Sequence, residues 1–265
     1  MFFGPRLALE PAGVVFFPLS ALFFGIAVLA SPGRALAACA CAQPAVIVVP
    51  RPGDVAPRNT HVWISLPPTL ADVQASLKGP GAGAADLVRY GGGEERIIEL
   101  VPRAALAGHA RYEVLLGTEV VGQFVTGDAL DQTPPTWDGL QSGQVSPGSD
   151  AACGAGETIV VLGLGKREDD ATPAGALRYA VWIGAPGKDL DYNQPPTTVM
   201  TATRDHLALG RESRCNPSNL ELQGAFAVGV RVLDLAGNAG QPSEADITVP
   251  ARATAPPRSQ SPPRK

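Results

Sequence analysis

The sequence predicts an all-β protein, built as two tandem β-sandwiches behind an N-terminal signal peptide. Three observations carry this expectation. Apolar residues alternate with period two over short segments, Gly and Pro punctuate those segments roughly every 8 to 15 residues, and no amphipathic stripe of helical period is present. Composition agrees. The 265 residues include 30 Gly and 26 Pro, with 45% hydrophobic and 17% charged residues and a formal charge of -4. Gly and Pro together stay below the roughly 25 to 30% of a low-complexity chain, and so low a charge content is unlike a solvated disordered one. The 21 basic residues are outnumbered by 25 acidic ones. No polybasic stripe is left to neutralise phosphates, so no nucleic-acid partner is expected.

The N-terminal element is the address. Residues 14–30 (VVFFPLSALFFGIAVLA) carry no charge, and Ala35-Leu36-Ala37 has the A-x-A pattern cut by signal peptidase. Residues 1–37 are therefore read as a signal peptide and 38–44 as a short N-terminal segment. Two alternatives stay open. The apolar run could remain as an uncleaved anchor, or Leu36-Ala37-Ala38-Cys39, which resembles the bacterial lipobox, could be lipidated at Cys39 and tie the chain to a membrane surface. All three readings export the rest of the chain, to the periplasm, the cell surface or the medium.

The first sandwich is expected over 45–130. Its strands are Ala45–Val49, His61–Leu66 with Val62, Ile64 and Leu66 on one face, Asp86–Tyr90, Arg96–Val101, Arg111–Leu116 and Val120–Thr126. Gly-rich turns at 79–83 and 91–93 supply positive φ. The segment Asp131-Gln132-Thr133-Pro134-Pro135-Thr136 then breaks the pattern, because paired Pro cannot continue a ladder. The second sandwich is placed over 131–250, with strands Glu157–Leu164, Leu177–Ile183, Thr198–Thr201, Asn219–Leu222, Ala225–Asp234 and Ala245–Val249. Leu177, Tyr179, Val181 and Ile183 share one face, and Phe226, Val228, Val230 and Val232 share another, as a sandwich core requires. Residues 251–265 (ARATAPPRSQSPPRK) are expected to be a disordered Pro/Arg-rich tail.

The segment 45–128 resembles the bacterial Ig-like module of S-layer proteins. The resemblance rests on Pro50-Arg51-Pro52-Gly53 leading to Asn59, on Val101-Pro102 with Leu106 to Tyr112, and on Phe124-Val125-Thr126-Gly127. The Leu106-to-Tyr112 spacing is also that of a tyrosine corner, in which the ring of Tyr112 sends its hydroxyl back to nearby backbone. From about Pro134 to Val249 the chain resembles the fibronectin type III and Ig-like repeats of bacterial surface proteins, on Asp131-Gln132-Thr133-Pro134-Pro135 at entry and Asp234-Leu235-Ala236-Gly237-Asn238 at exit. Asp234 and Asn238 are expected to cap a tight turn in which Gly237 takes the left-handed position. Such folds host many functions.

Four cysteines suit an exported chain. Cys153 and Cys215, both in the second sandwich, are the expected disulfide, which would close a loop of about 60 residues. Cys39 and Cys41 remain a second pair or a lipidation site, and the spacing is poor for zinc. His61, His109 and His206 do not have metal-ligand spacing, and no nucleophile elbow occurs. Gly163-Leu164-Gly165 follows a strand but lacks the third glycine of a dinucleotide loop. Glu168-Asp169-Asp170 and Asp189-Leu190-Asp191 lack the spacing of a calcium loop and are read as solvated turn acids. No catalytic residue, metal or cofactor is expected. Trp63 and Trp182, each opposite the apolar face of its strand, are the candidate exposed aromatics for a ligand. The expectation is an exported, non-catalytic cell-envelope protein serving as a structural or interaction module, with an unidentified envelope protein or glycan as partner. A glycan- or protein-binding adhesion module and an accessory lipoprotein of an envelope complex are the alternatives.

Overall fold

Short β-branched and alternating segments between prolines and glycines build the strands that dominate the computed structural model, which describes residues 45–66, 70, 73–90, 96–146, 159–210, 220 and 222–250. The signal peptide, the segment 38–44, the C-terminal tail and all four cysteines lie outside the described residues, and with them the lipidation and disulfide expectations.

The first sandwich holds β1 (Ile47–Val49), β2 (Val55–Ala56), β3 (Val62–Leu66), β4 (Ala75–Lys78), β5 (Ala85–Tyr90), β6 (Arg96–Pro102), β7 (Arg111–Leu116) and β8 (Glu119–Thr126). They form two four-stranded sheets, ordered β1-β3-β6-β5 and β2-β8-β7-β4. All pairs are antiparallel except β2 with β8. The chain changes sheet between β1 and β2, where Pro50 and Pro52 lack the N–H that a ladder needs. Val62, Ile64 and Leu66 of β3 join Ile98, Leu100, Tyr112, Val114 and Phe124 in the buried cluster.

The second sandwich holds β9 (Thr136–Trp137), β10 (Leu140–Ser146), β11 (Ile159–Leu164), β12 (Arg167–Glu168), β13 (Arg178–Gly184), β14 (Thr198–Met200), β15 (His206–Leu209), β16 (Gly224–Leu233) and β17 (Ser243–Val249). The sheet orders are β10-β11-β15 and β14-β13-β16-β17, with β9 and β12 as a separate ribbon. The two alternating faces expected from the sequence meet here. Leu177, Tyr179 and Val181 pack with Phe226, Val228, Val230 and Val232, while Ile183 lies at the edge of the same cluster.

Two expectations are corrected. Leu220 and Leu222 carry no strand; the strand beside β11 is instead β15, whose Leu207 and Leu209 are buried in the core. Trp63 and Trp182 do not point into solvent, being only 1% and 9% exposed. Strand alternation does place Trp63 on the face opposite Val62 and Ile64, but that face is also covered. β3 is an interior strand, Trp63 faces Val49 on one side and Glu99 on the other, and the Tyr90 ring stacks on it at 5.8 Å. Trp182 is covered by the loop after β13. Tyr192 meets it edge-on at 4.9 Å, and its Nε1–H donates to the Gln194 carbonyl at 2.9 Å.

Candidate functional site

The site begins with a linker residue. Where β8 ends, the chain runs through 127–135 toward β9, and Asp131 lies in that passage, only 5% exposed. Its backbone is clasped from both sandwiches. The Asn59 side chain accepts from Asp131 N–H at 2.9 Å and donates to the Asp131 carbonyl at 2.7 Å, and Asn238 Nδ2 donates to that carbonyl at 3.3 Å. Asn59 precedes β3 of the first sandwich, and Asn238 follows β16 of the second.

The turn after β16 completes the junction. Asp234 Oδ1 accepts from the N–H groups of Ala236 and Asn238, both at 2.8 Å, and Gly237 has φ 82°. This is the capped turn that the spacing of Asp234, Gly237 and Asn238 predicts. Gly237 is needed a second time, because the His61 ring occupies the space a Cβ would take. The turn presents Leu235, fully buried, to the first sandwich. Its carbonyl accepts from His61 N–H at 2.5 Å and its N–H donates to Thr172 Oγ1 at 3.0 Å. Leu235 belongs to the buried cluster of the first core, which also takes in Ala176, Ala180, Trp182 and Val199 of the second sandwich.

Carboxylates gather beside this junction. One oxygen from each of Asp131, Asp169 and Asp170 lies within 4.8 Å of the others. Asp131 Oδ1 accepts from Thr133 N–H at 3.0 Å, and Asp169 Oδ1 accepts from the N–H groups of Ala171 and Thr172 at 3.0 and 2.5 Å. The second oxygens, Asp131 Oδ2 and Asp169 Oδ2, are buried and have no protein donor. Burial raises the Asp131 pKa above the ordinary carboxylate value, with the charges of Asp169 and Asp170 adding to the rise and the Thr133 amide opposing it. Asp234, fully buried behind them, is pushed up to about 6 by burial, against its hydrogen bonds from Asn238 and with help from the charges of Asp131 and Asp169. Asp169 and Asp170 also border an open cleft of about 600 Å³, with Thr133, Thr136, Arg167 and Glu168 on its other walls. Arg167 does not neutralise the acids. Its guanidinium donates to the carbonyls of Gly165 and Arg204 and lies over the Tyr179 ring at 6.0 Å.

A second polar group sits in the first sandwich. His61 Nδ1 lies 2.5 Å from Glu99 Oε1, and the Tyr90 hydroxyl donates to Glu99 Oε2 at 2.6 Å. Glu99 is buried, and both of its oxygens are occupied by these contacts. The arrangement ties the residue before β3 to β5 and β6.

The other residues singled out from sequence fall as follows. The Tyr112 hydroxyl accepts from Ala107 N–H at 2.8 Å and donates to the Pro80 carbonyl at 2.6 Å, which ties the loop before β7 to the turn after β4. His109 pairs with Asp128 at 2.5 Å on the surface and His206 with Asp205 at 3.5 Å. Asp191 is exposed and accepts from Asn193 and Gln194 within its own loop, which lowers its pKa. Asp169 differs from the solvated turn acid expected, since one of its oxygens is buried. Sequence inspection missed the reason, because Asp131 stands 38 positions earlier in the chain and only the fold brings the two together.

No protein-family model matches the sequence, and no curated protein matches it. Among solved structures the chain is similar to an L,D-transpeptidase from Mycobacterium tuberculosis H37Rv, at 16% identity over 63% of this chain and 79% of that one, with a TM-score of 0.25. It is also similar to the tandem Ig repeats of Dlar, at 12% identity over 77% of this chain and 97% of that one, with a TM-score of 0.24.

Proposed function

We propose that this is an exported, non-catalytic cell-envelope protein whose two sandwiches act together as one stiff structural or interaction module. The observation that carries the reading is the junction. A linker joining independent domains is ordinarily exposed and makes few contacts, whereas here Asp131 is clasped by Asn59 and Asn238, and Leu235 lies in a buried cluster that includes residues of both sandwiches. Stiff coupling suits a part that holds a fixed geometry between two attachment points. Burial of Trp63 and Trp182 removes the aromatic platform that the glycan-binding alternative would use. Export is supported by the uncharged run at 14–30 and the A-x-A site that follows it.

The test is the intact mass of the chain from fractionated cells of a bacterial host, before and after reduction. A chain starting at Ala38 outside the cytoplasm supports a soluble exported module, and one starting at Cys39 with added acyl mass supports the lipoprotein form. A chain retaining Met1 in the cytoplasm overturns the reading.

A further inference from the structure

The carboxylates beside the junction lack what buried charges ordinarily require. A buried carboxylate is stable when hydrogen bonds or an opposite charge occupy its oxygens, and unpaired burial is costly. Asp131 is 95% buried, and its Oδ2 has no protein donor. Asp169 Oδ2 is likewise buried without a donor. These two side chains and Asp170 place one oxygen each within 4.8 Å of the others, with Asp234 buried behind them. Among the described residues none of the three acids has a Lys, Arg or His partner. Three carboxylates are therefore held together with no basic partner among the described residues, and two of their buried oxygens have no protein donor.

We infer that Asp131, Asp169 and Asp170 form a calcium site that braces the linker against the second sandwich. Oxygens bound to one Ca²⁺ at about 2.4 Å can stand at most about 4.8 Å apart, so the observed spread suits a common ion. Magnesium fits less well, because it dehydrates reluctantly and is usually held by only one or two carboxylates, whereas three gather here. The donor set is all oxygen and anionic, as a hard cation requires. Asp170 is exposed and borders the open cleft, which leaves room for water to complete the coordination and a path for the ion. The ion would fasten Asp131, already held by Asn59 and Asn238, to the turn that carries Asp169 and Asp170. This inference rests on the proposed stiff junction and deepens it, because extracellular modules hold calcium with dissociation constants of roughly 0.1 to 1 mM and so depend on the calcium available outside a cell.

The experiment uses the full chain stripped with EGTA, then titrated calorimetrically with CaCl2 while its Tm is read with and without the ion. The expected result is one bound Ca²⁺ per chain and a Tm rise of roughly 3 to 6 °C at tenfold excess over the dissociation constant. Asp170→Asn, an exposed change, is expected to weaken binding at least about tenfold, in line with the loss of one charged ligand. Asp169→Asn should abolish the calcium-induced rise while leaving the calcium-free Tm equal to or above that of the wild type, since it removes repulsion. The surface variant Asp189→Asn should behave as wild type. The inference is overturned by absence of binding heat, by equal binding in wild type and Asp170→Asn, or by an equal Tm rise from MgCl2 at the same concentration. Location does not enter this readout. Cytoplasmic retention with intact calcium binding would sink only the export reading, and secretion without calcium binding would sink only the site.

Discussion

Asp234 shows how a single residue can be correct in the sequence and still cost stability. Its place in the turn is set by local chemistry, where a short carboxylate accepts from the N–H groups two and four residues ahead. Its ionisation is set by the fold, which buries it next to Asp131 and Asp169 and raises its pKa to about 6. A carboxyl raised from its ordinary value of 3.8 contributes stability that is fully present below about pH 4 and lost as the pH rises through about 6. Asp131 is raised by the same causes and acts in the same direction. In chelator, thermal unfolding of wild type and Asp234→Asn should therefore converge or cross as the pH is raised from 4 to 7, with the wild type gaining relative to the variant toward pH 4. A constant difference across that window would show that Asp234 does not titrate there. The low pKa of Asp191, by contrast, belongs to an exposed loop carboxylate and is set by local hydrogen bonds alone.

At the scale of elements, the loop after β13 explains why Trp182 is no surface aromatic. Trp182 faces Gly229 across the β13–β16 ladder, and a Cβ on that glycine would meet Leu190 at 2.6 Å and the Tyr192 ring at 3.0 Å. The missing side chain is the space into which the loop folds. Tyr192 then closes over Trp182, lies under the Arg231 guanidinium at 5.0 Å, and donates to Glu244 at 2.7 Å. Gly229→Ala should push this loop off the sheet at a cost of about 1 to 3 kcal/mol, the range for overpacking. Denaturant unfolding checks the loss, and a red shift of tryptophan emission reports the exposure of Trp182. Unchanged stability would mean that the loop adapts without leaving the sheet. Elements with a strong alternating pattern, such as β3, β13 and β16, were legible in the sequence. β4, β10 and β12 were not, because they are short or polar edge strands whose partners supply the order.

For the whole molecule the decisive contact is Leu235. It ends an ordinary turn in sequence, yet it is fully buried where the second sandwich meets His61 and Thr60 of the first. Arg178, buried nearby in β13, keeps its guanidinium on the carbonyls of Ala176 and Leu177, and burial first, then the charge of Arg51, lowers its pKa to about 10. The charges of Arg178 and Arg51, one from each sandwich, thus sense each other across the junction. Leu235→Ala should cost about 2 to 5 kcal/mol as a large-to-small change in a packed site. Calorimetry should show one unfolding transition in the wild type and two in the variant, because the cluster joining the sandwiches is interrupted. Two transitions already in the wild type would mean that the sandwiches unfold independently and that the junction is not stiff.

Sequence alone determined the all-β class, the alternating faces of the long strands and the capped turn at Asp234, since each depends on neighbours within about ten residues whose spacing carries the geometry. Tertiary structure decided what covers the outer faces of β3 and β13, which acids converge, and how the sandwiches are joined. Those outcomes rest on pairs such as Asp131 with Asp169, Trp63 with Tyr90, and His61 with Leu235. No local pattern records such pairs, because a two-residue period tells a strand which side faces away from its own core and says nothing about what another part of the chain will lay against that side.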